Sequence, residues 1–325
     1  MMKERALNVG VIGCGRWGSF IAWYLDSIGH KVTMYGREGS KRMASLMAER
    51  KNEYLEIPES MSLTTNIDDV LSGDVIIISI SAQNLDSLAK QIAGKGVTDK
   101  TFVLCMKGLE IKGHRTLTQI MRDNIDSSND VAVWIGPGHV EEFYKGVPNC
   151  MVIDSDRERT KDFLVKAFSG ELIRFYYGND LIGNELGAAT KNVIGIAAGM
   201  LDGCGLTSLK GALMSRGTRE VARLILAMGG NELSAYGLCH LGDYEATVFS
   251  EHSHNRKFGE CFVKGEEYTS LAEGYYTAKA IVELAKEKGV EMPICNVVYT
   301  ILYENRDAEE AIGSLFDRSL KEEFY

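Results

Sequence analysis

The sequence lacks three features that would each have defined a class of protein. Its 7 cysteines form no C-x-x-C pair and no His-Cys cluster, so we expect neither a zinc site nor a disulfide framework, and no metal. No apolar run is long enough to span a bilayer, and the N-terminal segment lacks the apolar run and cleavage site of a secretory signal. We therefore expect reduced thiols in a cytoplasmic protein that does not enter a membrane.

An excess of positive charge is also missing. Lys and Arg together number 36 and Asp and Glu 45, a formal net charge of -9, which argues against a broad nucleic-acid-binding surface. A local basic pocket for an anionic small molecule is compatible with this balance. At 325 residues, 45% hydrophobic and 25% charged, the chain has the composition of a globular protein and the length of about two domains.

The first half of the sequence alternates apolar, strand-like runs with amphipathic, helix-like segments. Continuous apolar runs are typical of strands covered on both faces, so we predict a parallel sheet with helices on each side. From about Asn184 helical periodicity takes over, as in SRGTREVARLILAM and GYYTAKAIVELAKEKG. We predict an α/β protein: an N-terminal Rossmann-type doubly wound sheet over residues 1–184, then an all-helical substrate and catalytic domain over residues 185–325. The strand-like runs are LNVGVIG, KVTMYG, DVIIISI, FVLCMKG, VAVWIGPG and CMVID.

A glycine-rich turn follows the first of these runs. VIGCGRWG places Gly13, Gly15 and Gly18 in the spacing G-x-G-x-x-G, between a strand and a helix. Such a turn lets backbone amides approach a pyrophosphate, whose charge then faces the helix N-terminus. The context predicts a dinucleotide-binding site.

The end of the second strand bears on which dinucleotide is bound. NAD-dependent enzymes usually place Asp or Glu there, whereas this strand ends in MYGRE, with Gly36 and Arg37 at its tip. An arginine can pair with a 2'-phosphate. Glu38 weakens that inference, and Arg37 could also be a solvated surface charge. We predict that NADP(H) is preferred, with NAD(H) as the alternative.

Three further segments are rich in polar groups. Lys107 stands at the carboxyl end of a strand, the edge where open α/β sheets bind ligands, and GPGHVEE follows the next strand. LGDYEATVFSEHSHNRKFG gathers polar side chains in the helical half. In ELGAATKNVIGIAAGM, Lys191 has no acidic residue three or four positions away, so no local helical ion pair accounts for it. For the polar segment of the helical half, the alternative is a solvated surface loop. For Lys191, the alternative is a side chain whose stem is buried while its ammonium reaches solvent.

Taken together, these motifs resemble the bacterial-type NAD(P)-dependent glycerol-3-phosphate dehydrogenases over essentially the whole chain. The block around Lys191 is the most specific of them, because glycine-rich turns occur in many dehydrogenases. In chain order the matching motifs are GCGRWG, MKGLE, GPGHVEE, ELGAATKNVIGIAAGMLDG, HLGDYEAT, HNRKFG and EGYYTAK.

The resemblance implies reduction of dihydroxyacetone phosphate to sn-glycerol 3-phosphate for phospholipid synthesis, by a homodimer. It assigns proton relay to Lys191, contact with both substrate and cofactor to Lys107, and a place beside the reacting carbonyl to Asp243 and Thr247. Further expected substrate contacts are Gly136, Gly138, Ser253, His254 and Asn255. Further expected cofactor contacts are Arg16, Trp17, Val140, His254 and Glu273.

The chemistry supports this role for Lys191 independently of the resemblance. Hydride addition to a ketone places negative charge on its oxygen, which an ammonium stabilises and can protonate. We expect Lys191→Met to stop turnover. Because methionine removes the cost of burying an ammonium, we also expect stability to hold or rise.

Several positions depart from the family pattern. Gly138 replaces the usual Ser, and His254 replaces the usual Arg of the Ser-Arg-Asn phosphate-binding triplet, where Arg256 is close enough in sequence to compensate. HLGDY replaces the usual GLGDL. Two alternatives therefore stay open: a related dehydrogenase acting on another hydroxy acid or a sugar phosphate, and a non-catalytic sensor of nicotinamide nucleotides.

Overall fold

The computed structural model describes residues 6–320, 322 and 323. The chain divides into two compact units. The first comprises the chain up to Lys107 together with Arg115–Glu185, and the second comprises Gly108–His114 together with the chain from Leu186 onward. This division differs from the expected one by Glu185 and by the segment 108–114, which contributes to the second unit.

The first unit is built on one eight-stranded sheet within the described residues. The strand order is β3-β2-β1-β4-β5-β6-β7-β8, and every neighbouring pair is parallel except β6 and β7. All four residues of β4 are buried, as expected for a strand covered on both faces. The strands are β1 (Asn8–Ile12), β2 (Lys31–Tyr35), β3 (Ser62–Thr64), β4 (Val75–Ile78), β5 (Thr101–Leu104), β6 (Asp130–Ile135), β7 (Asn149–Asp154) and β8 (Ile173–Tyr177).

The antiparallel pair corrects the expectation of a wholly parallel sheet. The connection from β6 to β7 contains a single helix of five residues, α6 (Val140–Tyr144). Such a helix is about 7.5 Å long, whereas a six-residue strand extends about 20 Å. The connection therefore does not carry the chain back along the whole strand, and β7 returns beside β6 in the opposite direction.

Helices connect the other strands of the first unit. Ser40 caps α2 by accepting the backbone N–H of Met43, and Thr116 and Gln119 form a capping box at α5. The helices are α1 (Arg16–Ser27), α2 (Lys41–Glu49), α3 (Ile67–Leu71), α4 (Leu85–Ala93), α5 (Leu117–Asn124), α6 and α7 (Glu158–Phe168).

The second unit contains helices and no β-strand among its described residues. Glu220 joins two of these helices, because its buried carboxylate accepts the backbone N–H groups of Ile294 and Cys295 at the start of α12. Burial raises the pKa of Glu220. The helices are α8 (Leu181–Gly203, which begins in the first unit and continues into the second from Leu186), α9 (Lys210–Ala227), α10 (His254–Lys264), α11 (Glu273–Glu287), α12 (Pro293–Glu304) and α13 (Ala308–Gly313), and Glu245–Phe249 form a π-helical turn.

The small residues of α8 let other backbone segments approach it closely. A Cβ on Gly195 would lie 2.8 Å from the methyl carbon of Thr247, and one on Gly199 would lie 1.8 Å from the carbonyl oxygen of Arg256. Residues 183–200 are all buried. The segment that carries the polar motif of the second unit is thus packed directly against α8. Across the described part of the chain, no helix combines the length and apolarity needed to cross a membrane.

Candidate active site

Two of the three glycines in the turn after β1, Gly13 and Gly18, have no room for a side chain. Gly13 has a φ of 118°, and a Cβ there would lie 2.1 Å from the carbonyl oxygen of Ser79. A Cβ on Gly18 would lie 2.1 Å from the carbonyl oxygen of Gly13, and Gly15 is the N-cap of α1. The turn therefore brings bare backbone to the N-terminus of α1, where unpaired N–H groups favour an anion. These residues fit the pyrophosphate of a dinucleotide.

Two of the three side chains inside this motif contact other residues of the first unit. Arg16 pairs with Glu141 at 2.5 Å and lies over the ring of Tyr54. Trp17 packs its ring 5.2 Å from that of Phe20. The side chains of Arg16 and Trp17 therefore stabilise the turn. Their backbone amides belong to the first turn of α1.

The tip of β2 excludes an acidic side chain at position 36. A Cβ on Gly36 would lie 2.6 Å from the Cβ of Met43, so this position accepts only glycine. Arg37 follows and is exposed. Arg42 on α2, which no sequence motif indicated, has its guanidinium Nη1 3.8 Å from the Cβ position of Gly15. A guanidinium therefore lies beside the glycine-rich turn.

Lys107 and the GPG motif meet beyond the ends of β5 and β6. The Nζ of Lys107 donates a hydrogen bond to the carbonyl oxygen of Gly136 at 2.8 Å. Gly138 has a φ of 142°, and a Cβ there would lie 2.2 Å from the ring of Phe143. The departure from serine at position 138 thus has a packing cause. Val140, the first residue of α6, is buried, so its side chain belongs to the core.

Lys191 belongs to a buried cluster with two of the residues expected beside it. Its Nζ lies 2.7 Å from Asp243 Oδ2 and donates to Thr247 Oγ1 at 2.8 Å. Lys191 is 8% exposed, Asp243 1% and Thr247 2%. The carboxylate that balances the ammonium therefore comes from a distant part of the sequence. Thr247 lies on the π-helical turn, a distortion that frequently marks functional sites.

Two residues next to this cluster had no role assigned from the sequence. His240 and Tyr244 flank Asp243, and both are fully buried. The His240 ring is 2.9 Å from the Gly187 carbonyl oxygen through Nδ1 and 2.7 Å from the Tyr244 hydroxyl through Nε2. Burial lowers the pKa of His240 to about 4, so the ring is neutral near pH 7. Burial also raises the pKa of Tyr244.

The expected phosphate-binding triplet lies at the start of α10. Ser253 is its N-cap and accepts the backbone N–H of Arg256 at 3.3 Å. The side-chain oxygen of Asn255 accepts the backbone N–H of Gly274 at 2.9 Å. Glu273, the first residue of α11, adjoins that contact. The triplet therefore links the N-termini of two helices, each of which favours an anion.

His254 and Arg256 differ in their surroundings. His254 is exposed, and its Nδ1 lies 2.7 Å from the hydroxyl of Tyr268. Arg256 donates through Nε to Asp202 at 2.7 Å, and Lys210 donates to the same carboxylate oxygen at 2.7 Å. Arg256 is therefore paired with a carboxylate, which reduces the positive charge it can offer a phosphate.

A glycine-rich turn at the carboxyl edge of a doubly wound sheet, followed by a helical unit with a buried lysine, defines a nicotinamide-nucleotide-dependent oxidoreductase. The comparisons with known proteins then give the family. Residues 8–161 match the N-terminal part of NAD-dependent glycerol-3-phosphate dehydrogenase, and residues 180–313 match the C-terminal part. The chain belongs to this family, which confirms the family and the fold class predicted from the sequence.

Individual relatives agree along the whole chain. It is 32% identical to a glycerol-3-phosphate dehydrogenase (NAD(P)+) from Thermoanaerobacter sp., over 98% of this chain and 99% of the relative. It is 33% identical to the protein of that name from Fusobacterium nucleatum, over 97% and 98%. The crystal structure of glycerol-3-phosphate dehydrogenase from Coxiella burnetii matches with a TM-score of 0.90 at 27% identity, over 96% and 99%.

Proposed function

We propose that this protein interconverts dihydroxyacetone phosphate and sn-glycerol 3-phosphate with NAD(P)H, and that Lys191 relays the proton. The observation that carries the proposal is the buried cluster of Lys191, Asp243 and Thr247 on and against α8. A core lysine needs a carboxylate to stay charged, and this one is held by a carboxylate and a hydroxyl. The family membership supports the same reaction.

The first unit holds the cofactor in this proposal. A bound nicotinamide supplies the hydride, and the protein contributes binding and orientation. The turn from Gly13 to Gly18 faces the pyrophosphate with backbone N–H groups. Lys107, fixed by the Gly136 carbonyl, offers an ammonium to the substrate.

The second unit moves the proton. As the substrate carbonyl becomes an alkoxide, the Lys191 ammonium stabilises the negative charge and donates a proton to the oxygen. Asp243 keeps the lysine charged before transfer, and Thr247 fixes the direction of Nζ. Low exposure strengthens these interactions, because little water screens them. In the oxidative direction Lys191 accepts the proton from the hydroxyl.

The start of α10 binds the substrate phosphate in this proposal. Ser253, His254 and Asn255 occupy the first turn of that helix, where N–H groups and the helix dipole favour a phosphate. His254 adds positive charge only when protonated, in contrast to the arginine usual in the family.

NADP(H) is the proposed preferred cofactor, with NAD(H) as the alternative. Gly36 excludes the acidic residue that would accept from a ribose 2'-hydroxyl. Arg37 is exposed beside it, and Arg42 lies close to the glycine-rich turn. The guanidinium groups of Arg37, after the tip of β2, and Arg42, near the glycine-rich turn, can pair with a 2'-phosphate.

Three wider expectations accompany the reaction: supply of glycerol 3-phosphate to phospholipid synthesis, a cytoplasmic location and a homodimeric state. Light scattering of the purified protein tests the last, and depletion in cells followed by phospholipid labelling tests the first.

The decisive experiment measures oxidation of NADPH and NADH with dihydroxyacetone phosphate, beside a panel of other triose phosphates, sugar phosphates and keto acids. We expect oxidation with dihydroxyacetone phosphate and formation of the sn-3 product. Faster turnover of another panel member would establish the related-dehydrogenase alternative. Cofactor binding without oxidation of either cofactor by any substrate would establish the sensor.

A further inference from the structure

His240 and Tyr244 form a buried hydrogen-bonded pair on either side of Asp243. The hydrogen-bond partners of the His240 ring fix its tautomer. The Gly187 carbonyl oxygen, 2.9 Å from Nδ1, can only accept, so Nδ1 carries the proton of the neutral ring. The Tyr244 hydroxyl, 2.7 Å from Nε2, therefore donates to that nitrogen. Each polar atom of the His240 ring has one defined partner.

This pair connects the turn of α8 that carries Lys191 with the segment that carries Asp243, a single 3-10 turn over Leu241–Asp243 that we call the Asp243 loop. In an α-helix the carbonyl of Gly187 also accepts the backbone N–H four residues later, which is that of Lys191. The His240 ring and the backbone N–H of Lys191 thus donate to the same carbonyl oxygen, that of Gly187. On the loop side, the backbone N–H of Asp243 donates to the His240 carbonyl at 3.0 Å. Tyr244 is the next residue along the chain.

Close packing gives the connection little freedom. A Cβ on Gly187 would lie 3.2 Å from the Cβ of His240, so the ring stacks directly over the helix backbone. Tyr244 is fully buried, and its hydroxyl oxygen lies 3.4 Å from Thr218 Oγ1 on α9. The Asp243 loop is therefore attached to α8 through His240 and to α9 through Tyr244. Movement of the Asp243 loop away from Lys191 would break the hydrogen bond between His240 Nδ1 and the Gly187 carbonyl oxygen.

We propose that His240 and Tyr244 are positioning residues that hold Asp243 against Lys191 and so set the charge state of the proton-relaying lysine. This inference rests on the proposed role of Lys191. The distance that the pair controls is the 2.7 Å between Lys191 Nζ and Asp243 Oδ2.

The test uses three variants of the intact enzyme. Tyr244→Phe removes one hydroxyl, and His240→Asn keeps an N–H for the Gly187 carbonyl but, being shorter, places no acceptor at the position of Nε2, where Tyr244 donates. His240→Leu removes both hydrogen bonds. Tyr303→Phe is the matched control, because it removes a tyrosine hydroxyl that donates to a backbone carbonyl at 2.7 Å in the same unit. Each variant is assayed for kcat, KM for NADPH, the pH profile of kcat and the melting temperature.

We expect Tyr244→Phe and His240→Asn to lower kcat about five- to tenfold and His240→Leu more, with the KM for NADPH within about twofold. A carboxylate held less firmly favours the protonated lysine less, so the alkaline limb of kcat for ketone reduction should move to lower pH. Tyr303→Phe should shift only the melting temperature. The partial rescue by Asn relative to Leu separates positioning from general loss of packing.

Two results separate failure of this inference from failure of the proposed function. If Lys191→Met keeps turnover, the proton-relay role is wrong. If Lys191→Met is inactive while the folded Tyr244→Phe and His240→Asn variants keep the wild-type kcat and pH profile, the positioning role alone is overturned. Changes in melting temperature with an unchanged pH profile would also overturn it. His240→Asn carries the test if Tyr244→Phe does not fold.

Discussion

Replacing Lys191 by methionine should destabilise the protein at neutral pH. The change removes an ammonium 2.7 Å from Asp243, whose carboxylate is 1% exposed. Removing one member of a buried ion pair leaves a charge in a low-dielectric site and costs about 3–5 kcal/mol. Methionine fills a similar volume, so a cavity contributes little. The sequence alone led us to expect unchanged or higher stability, because it showed the buried ammonium without its carboxylate.

Urea unfolding of the wild type, Lys191→Met, Asp243→Asn and the double variant measures this cost. At pH 7.5 the double variant should lose less stability than the sum of the two single losses, because its asparagine leaves no buried charge. The loss in Lys191→Met should shrink as the pH is lowered, since a buried carboxylate without this cation takes up a proton more readily than one in water. Equal stability of Lys191→Met and wild type at pH 7.5 would refute the reasoning.

Three further predictions concern the cofactor site, the phosphate site and the buried histidine. Arg37→Ala should raise the KM for NADPH at least several-fold and that for NADH little, because it removes a charge-assisted contact of about 1.5–3 kcal/mol. Arg42→Ala should act in the same direction. Equal losses with both cofactors would exclude a 2'-phosphate role. The KM for dihydroxyacetone phosphate should rise from mildly acidic to mildly alkaline pH, and His254→Arg should flatten that rise; parallel profiles would remove His254 from the phosphate site. Because the pKa of His240 is about 4 when folded and about 6.5 when unfolded, the unfolded chain binds the proton more tightly, and stability should fall by about 3 kcal/mol as pH decreases from about 6.5 to about 4. Urea unfolding should show this fall in the wild type and not in His240→Asn, and identical pH dependence would contradict it.

Six of the eight strands in the described part of the chain could be predicted, because buried parallel strands appear as continuous apolar runs. The two missed strands lie at the edges of the sheet. The strand β3 has three residues, none of them buried, and β8 buries only two of its five. An edge strand is covered on fewer sides, so its sequence carries a weaker apolar signal. The direction of β7 was also missed, because strand runs alone do not show how long a connecting helix is.

Within the candidate site, the sequence indicated chemical groups better than their partners. Lys191 and Asp243 were both singled out, but only the fold shows that they form one ion pair. His240 and Tyr244 were visible as departures from the family pattern, and their hydrogen bond became apparent only in three dimensions. Arg42 had no signal beyond its charge. Pairing between distant segments depends on packing against α8, which residue spacing does not encode.

The most direct test of the central claim compares catalysis and cofactor binding in the Lys191→Met variant. Loss of a positioned proton donor costs about 10²–10⁴-fold, and loss of the charge that stabilises the oxyanion adds to it. We predict that kcat for dihydroxyacetone phosphate reduction falls by at least about a thousandfold. The NADPH dissociation constant, measured by fluorescence titration on folded protein, should change by less than about threefold, because the glycine-rich turn belongs to the first unit. Substantial turnover by the folded variant would contradict the account and transfer the proton-relay role to another group, with Lys107 the first to test.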